Sequence, residues 1–203
     1  MIGRLFLITL FALLPFSGIL SQTTYTRYDI PRMEKPAIAH FALKNNGLVD
    51  LTLSPNLGFE FRVARRYTVD IWGSYNPWTF PDNKKFKHVF VQPEVRYWLC
   101  ESFIGHFFGF HPTYSYFNIG GTGPTRALKD KRYEGQLYGA GFSWGYQLYL
   151  SPRWNLEFNL GVGYLYIDYD RYQAPVCGLF EKSKDRHYLG ITRAGISFVY
   201  IIK

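Results

Sequence analysis

The 203-residue chain has only two cysteines, Cys100 and Cys177. A small secreted disulfide scaffold carries many more for its length, and neither cysteine has a CxxC or histidine-rich neighbourhood, which argues against a zinc site. Charged residues are also scarce, at 19%. After residue 20 no apolar run reaches the roughly 18 residues of a membrane helix, so a helical membrane protein is excluded. Mean hydropathy is only −0.14. Disorder is excluded from the other side, because 20% of the chain is aromatic and disordered chains are poor in rings. What is present is an uncommon pairing of 19 glycines with many rings, at a formal net charge of +8.

The first segment accounts for part of this balance. A basic start through Arg4, an apolar stretch over Leu5 to Leu14 and a small-residue site near Ser21 have the layout of a secretory signal peptide over residues 1–21. Its removal leaves a net charge of +7 on an exported chain. Residues 22–35 are polar, with Pro31 within them and Pro36 just beyond, and read as a leader. Residues 36–203 form the remaining domain.

One rhythm dominates that domain. From Trp154 to Tyr166 every second residue is large and apolar, and the residues between begin Asn155, Glu157, Asn159, Gly161 and Gly163. Period-2 alternation over more than ten residues predicts a long strand with one greasy and one polar face. Tyr138 to Leu148 alternates in the same way, and only Leu150 to Arg153 separates the two, so the pair predicts a hairpin. Similar runs centre on residues 57–63, 67–75, 89–97, 108–116 and 196–202, and a short piece over 37–44 completes about eight strands.

The apolar face consists of bulky rings, while the other face is Gly, Ser, Asn and charges. A small barrel has no interior room for so many rings, whereas glycines and paired charges fit there. The predicted fold is therefore all-β: an eight-stranded antiparallel up-and-down transmembrane β-barrel with rings toward lipid. Three connections, near 64–66, 99–102 and 150–153, are short. Those over about 45–54, 76–87, 118–133 and 171–187 are long, which is the outer-membrane asymmetry. Tyr67, Tyr97, Trp98, Tyr149 and Trp154 suggest one aromatic girdle, and Tyr75, Trp78, Tyr116 and Tyr166 the other.

With Tyr75-Asn76-Pro77-Trp78, the run Gln92-Pro93-Glu94-Val95-Arg96-Tyr97-Trp98-Leu99-Cys100-Glu101, Gly105-His106-Phe107 and Gly161-Val162-Gly163-Tyr164, the chain resembles the domain of unknown function 3575 family of Gram-negative outer-membrane barrels. The resemblance covers roughly residues 36–203. It implies a fold and a location in the outer membrane, and it brings no activity.

On this register Glu60, Asp70, Glu94 and Glu157 face the lumen with Arg62, Arg96 and Arg193. Unpaired charges in a narrow lumen are costly and guanidinium pairs with carboxylate through a bidentate fork, so these seven predict a neutralising plug. No catalytic, cofactor or metal site is expected. His106 and His111 are five apart and point to opposite faces of a strand. Gly120-Gly121-Thr122-Gly123 lacks the Lys-Ser/Thr ending of a phosphate loop. The net positive charge resides in three long connections: Lys84, Lys85 and Lys87 in one, Arg126, Lys129, Lys131 and Arg132 in the next, Lys182, Lys184 and Arg186 in the third. Such a basic crown suits lipopolysaccharide phosphates or an acidic surface partner, and a nucleic acid has no compartment in which to meet it. Expected partners are thus outer-membrane lipid and lipopolysaccharide, a surface protein, and the barrel assembly machinery. The chain's ending, Tyr200-Ile201-Ile202-Lys203, departs from the aromatic last residue that this machinery commonly reads. The expected role is structural or interaction, in surface assembly, adhesion or envelope support. The rivals are a small-solute channel, a lipid-modifying enzyme and a soluble binder of lipophilic ligands. Cys100 and Cys177 fall at opposite barrel ends, too far apart to bond.

Overall fold

The structure, a computed structural model, describes residues 39–80, 84–121, 131–173 and 178–202. The signal-peptide and leader segments, Arg126, Lys129 and Cys177 lie outside them.

The described chain is all-β apart from one helical turn. Its strands are β1 Phe41–Asn46, β2 Asn56–Ala64, β3 Tyr67–Asn76, β4 Thr79–Phe80, β5 Lys84–Trp98, β6 Gly105–Gly120, β7 Lys131–Tyr149, β8 Trp154–Gln173 and β9 Phe180–Ile202. The turn α1, Gly47–Asp50, starts where the Asn46 side chain accepts a hydrogen bond from the Leu48 N–H. Every pairing is antiparallel. β1 lies between β2 and β9, and β3 pairs β5, so eight strands form a ring-like sheet while the two-residue β4 is an appendage on β5. No described helix is long and apolar enough to cross a membrane.

Alternation sorts the two faces. On β6, Phe108, Phe110, Tyr114 and Tyr116 are exposed on the outside, whereas Phe107, His111, Thr113 and Ser115 are buried inside. The inward glycines leave room: a Cβ on Gly141 would lie 2.7 Å from Thr192 Oγ1 and 2.8 Å from His111 Nε2. Two prolines, Pro93 and Pro112, have no N–H to donate, and the β5–β6 ladder is interrupted between Val91 and Val95 around them. The inward Gln92 side chain instead bridges the gap, its Nε2 donating to Thr113 Oγ1 at 2.7 Å.

At the end with the short turns, the interior is apolar. Ala42, Phe103, Val199 and Ile201 form a buried cluster. Trp98 and Phe107 pack above it as a tilted pair, with ring centroids 4.8 Å apart. Phe103 reaches inward from the 99–104 turn with φ +70°, a left-handed conformation rare outside glycine. Trp98 was expected in an outer girdle. It is fully buried because it has the same parity as Glu94 and Arg96, and its Nε1 donates to Thr68 Oγ1 at 2.9 Å.

At the opposite end the strands run beyond their expected limits. β5 begins at Lys84, β7 at Lys131 and β9 at Phe180, while β8 continues to Gln173. Lys84, Lys85, Lys87, Lys131, Arg132, Lys182, Lys184 and Arg186 are therefore strand residues and not loop residues. Of the expected N-terminal strand over 37–44, residues 37 and 38 lie outside the described residues, and the described strand runs Phe41–Asn46.

Candidate functional site

The ring's interior centre is set by one row of residues. Glu60 is paired in register with Asp70, and Asp70 with Glu94, placing three carboxylates on adjacent strands. Like charges directly opposite destabilise a sheet, so this row requires cations within it. Arg96, one step along β5, supplies the first and is wholly buried. Its Nε donates to Glu94 Oε1 at 2.5 Å, and Nη1 to Glu60 Oε2 at 3.1 Å and Glu157 Oε2 at 2.9 Å. Nη2 donates to Asp70 Oδ2 at 3.0 Å and Glu157 Oε1 at 3.0 Å. The guanidinium also lies over the Phe107 ring, 4.3 Å from its centroid. It thereby joins the ionic layer to the apolar layer beneath.

Arg193 and Lys44 are the other cations. Arg193 Nη2 donates to Asp70 Oδ2 at 2.7 Å, and Nη1 lies 3.2 Å from Glu94 Oε2. Lys44 Nζ donates to Glu157 Oε2 at 2.6 Å and pairs with Glu60. The structure thus brings together Glu60, Asp70, Glu94, Arg96, Glu157 and Arg193. Arg62 stands apart near the turn end, where its Nη2 lies 3.2 Å from Glu101 Oε1. Sequence reasoning overlooked Lys44, which shares the inner face of β1 with Ala42 and Asn46. Six residues with an inward alanine give too faint an alternation to assign a face. His111, which alternation places on the inner face, also belongs to this layer: its Nδ1 is 3.5 Å from Glu94 Oε2 and its Nε2 is 2.9 Å from Thr192 Oγ1.

Four carboxylates surround Arg96, Arg193 and Lys44, so the layer obstructs the interior with paired charge. Toward the long-strand end a cavity of about 250 Å³ opens directly against it, lined by Lys44, Trp72, His88, Phe90, Asn159 and Arg193 among others. Asn159 Oδ1 is buried there without a hydrogen-bond partner. A second cavity of about 350 Å³ shares His88 and Phe90 with the first and is otherwise lined by Ser115, Phe117, Ile119, Leu137 and Ile167.

The outer surface changes character at one level. Tyr138 pairs Tyr166, and Tyr166 pairs His187, with ring centroids 5.3 Å apart in both contacts. On the side of this row toward the short turns, the outward residues are apolar, as in Phe142, Val162 and Ile191. On the other side come Gln136, Asp168 and Asp185 in register, then Glu134, Asp170 and Ser183. Tyr116 donates to Glu134 Oε1 at 2.6 Å, which pushes its hydroxyl pKa up to about 12.

A bulge in β9 decides where the nearby cations point. Gly161 pairs Arg193, but Val162 pairs Ile191, so Thr192 is the extra residue and parity reverses beyond it. Arg186 then pairs inward-facing Ile167, Lys184 pairs Tyr169 and Lys182 pairs Arg171. Glu181 joins Arg171, with Nε 2.7 Å from Oε2, and Lys131. The Lys131 hydrogen bond holds the Glu181 carboxyl below the usual carboxylate range. Lys85, Lys87 and Arg132 have outward parity, and Lys84 inward parity.

Fold and site together define an all-β protein whose antiparallel strands close into a ring around a buried ion-pair layer. The chain belongs to the family described as protein of unknown function (DUF3575), whose family model matches residues 16–202. No curated protein and no solved structure matches it.

Proposed function

We propose that the protein is an outer-membrane β-barrel with a closed lumen, and that its role is interaction or envelope support at the outer surface. The observation that carries this reading is the coincidence of an apolar outer band with a polar, ion-paired interior. From Trp154 to Tyr166 the outward positions of β8 are uniformly apolar, and beyond them Asp168 and Asp170 face outward. Eleven residues separate Trp154 from Tyr166, which matches the roughly 9–11 residues a tilted strand uses to span a bilayer. The Tyr138–Tyr166–His187 row would then lie at headgroup depth.

A channel reading meets the obstruction formed by Arg96, Lys44 and four carboxylates. An enzymatic reading has one grouping to consider, Thr192, His111 and Glu94. There the carboxylate is already engaged by Arg96 and Arg193, so it is poorly placed to support an imidazolium forming on His111. Lys84, Lys85, Lys87, Lys131, Arg132, Lys182, Lys184 and Arg186 surround the outer mouth, where anionic groups of lipopolysaccharide or of a surface protein are within reach. The test is membrane fractionation with gel mobility before and after heating. Outer-membrane recovery with a heat-modifiable band is expected, and a soluble chain without a mobility shift would overturn the reading. In planar bilayers, a steady large conductance would overturn the closed lumen.

A further inference from the structure

The outer half of the interior joins two chemistries that the ion-pair layer does not use. Its wall is apolar, with Phe90, Phe117, Ile119, Leu137 and Ile167 around the cavity of about 350 Å³. That volume falls at the lower end of the roughly 300–1,000 Å³ typical of small-molecule pockets. The deeper cavity of about 250 Å³ shares His88 and Phe90 with it and is also lined by Arg193 and Asn159, whose Oδ1 has no hydrogen-bond partner among the described residues. Apolar surface lining a water-accessible hollow is unfavourable unless an apolar occupant covers it.

Cations gather directly above this wall. Arg186 is the cross-strand neighbour of Ile167, and Lys184 that of Tyr169, so their side chains leave the backbone roughly 5 Å apart on the same inner face. Among the described residues, the inward charged side chains here are Lys84, Lys131, Arg171, Lys182, Lys184 and Arg186 against one carboxylate, Glu181. Lys131 and Arg171 share that carboxylate, and among the described residues no ion pair joins Lys182, Lys184 or Arg186. Lys184 and Arg171 repel the Lys182 ammonium and lower its pKa. An anion placed among them would relieve this repulsion.

We propose that this vestibule binds a small amphiphile with an anionic head group, its alkyl chain among Phe90, Phe117, Leu137 and Ile167 and its head group at Lys184 and Arg186. The proposal rests on the barrel reading only in that the vestibule then opens to the outer aqueous side. Neither chemistry suffices alone: the head-group cations stand at the mouth, and the apolar wall lies below them.

The probe is octanoate, titrated by calorimetry against the full mature chain in phosphatidylcholine nanodiscs, with empty nanodiscs as the blank. Butyrate supplies the charge without the chain, and octanol the chain without the charge. Saturable octanoate binding is expected, at least about tenfold tighter than either control. Leu137→Trp, which fills the cavity, and the exposed pair Lys184→Glu/Arg186→Glu should each weaken it by about tenfold or more. The charge-reversed pair should leave octanol binding unchanged. Heat-modifiable mobility verifies that each variant folds, and if Leu137→Trp does not fold, Ile167→Asn takes its place. Heats equal to those of empty discs, butyrate binding as tightly as octanoate, or undiminished affinity in both variants would overturn the proposal. If the parent chain instead proves soluble, the barrel reading fails by itself, and the same titration in detergent-free buffer still decides the site.

Discussion

Replacing Arg96 by methionine removes the one group that reaches all four interior carboxylates while keeping much of the side-chain volume. Lys44 and Arg193 would then face Glu60, Asp70, Glu94 and Glu157 alone, and the formal charge of these lysine, arginine and carboxylate groups would fall from −1 to −2. Every one of these groups is buried. Removing one partner of a buried pair costs about 3–5 kcal/mol, because the charge left behind keeps its desolvation cost without its compensation. Arg62→Gln is the internal control. Its partner Glu101 is 48% exposed at the side chain, so that change should cost about 1 kcal/mol or less. Urea unfolding of the refolded chain in detergent, followed by tryptophan fluorescence, measures both. Adding Glu157→Gln to the Arg96→Met chain removes one carboxylate charge in excess of the remaining cations and should return about 0.5–3 kcal/mol as a coupling energy. The reasoning is refuted if Arg96→Met costs no more than Arg62→Gln, or if the double variant is merely additive.

The outer face offers a matched pair. Val162→Lys, in the apolar band, should cost about 2–4 kcal/mol in a bilayer, and Asp168→Lys, past the tyrosine row, roughly 0–1 kcal/mol; equal costs in lipid-vesicle refolding would contradict the membrane boundary. Gly141→Val would press on His111 and Thr192 and should destabilise by about 1–3 kcal/mol in the same unfolding assay, whereas Val162→Leu should be close to neutral. Because the Lys131 hydrogen bond depresses the Glu181 pKa in the folded state, the contact's contribution is present above the ordinary carboxylate range and lost as pH falls through the depressed folded value. Carbon-13 NMR titration of that carboxyl should show Lys131→Met moving its midpoint upward, and an unchanged midpoint would remove Lys131 as the cause.

How much of this was legible in the residues differs from layer to layer. Alternation alone assigned Glu60, Asp70, Glu94, Arg96, Glu157 and Arg193 to one face, because a pleated strand leaves no freedom over which side a residue takes. It did not reveal that Arg62, of the same parity as Glu60, ends beside Glu101: position along the ring's axis depends on how the strands are staggered. The strand ends were underestimated for a related reason. Beyond the apolar band a strand no longer needs a greasy face, so Lys84–His88 and Phe180–Arg186 have the composition of loops while remaining paired to their neighbours.

Local chemistry therefore determined the strands, their two faces and the charged inner row, since each depends only on the period-2 geometry of the chain. Closure and register decided the rest. Pairing of β1 with β9 brought Lys44 into the ionic layer from a strand too short to declare its face. The extra residue Thr192 reversed the parity of the β9 segment before it, directing Lys182, Lys184 and Arg186 inward and Asp185 outward. A bulge is defined by the partner strand it opposes, so a chain read one residue at a time carries no mark of it.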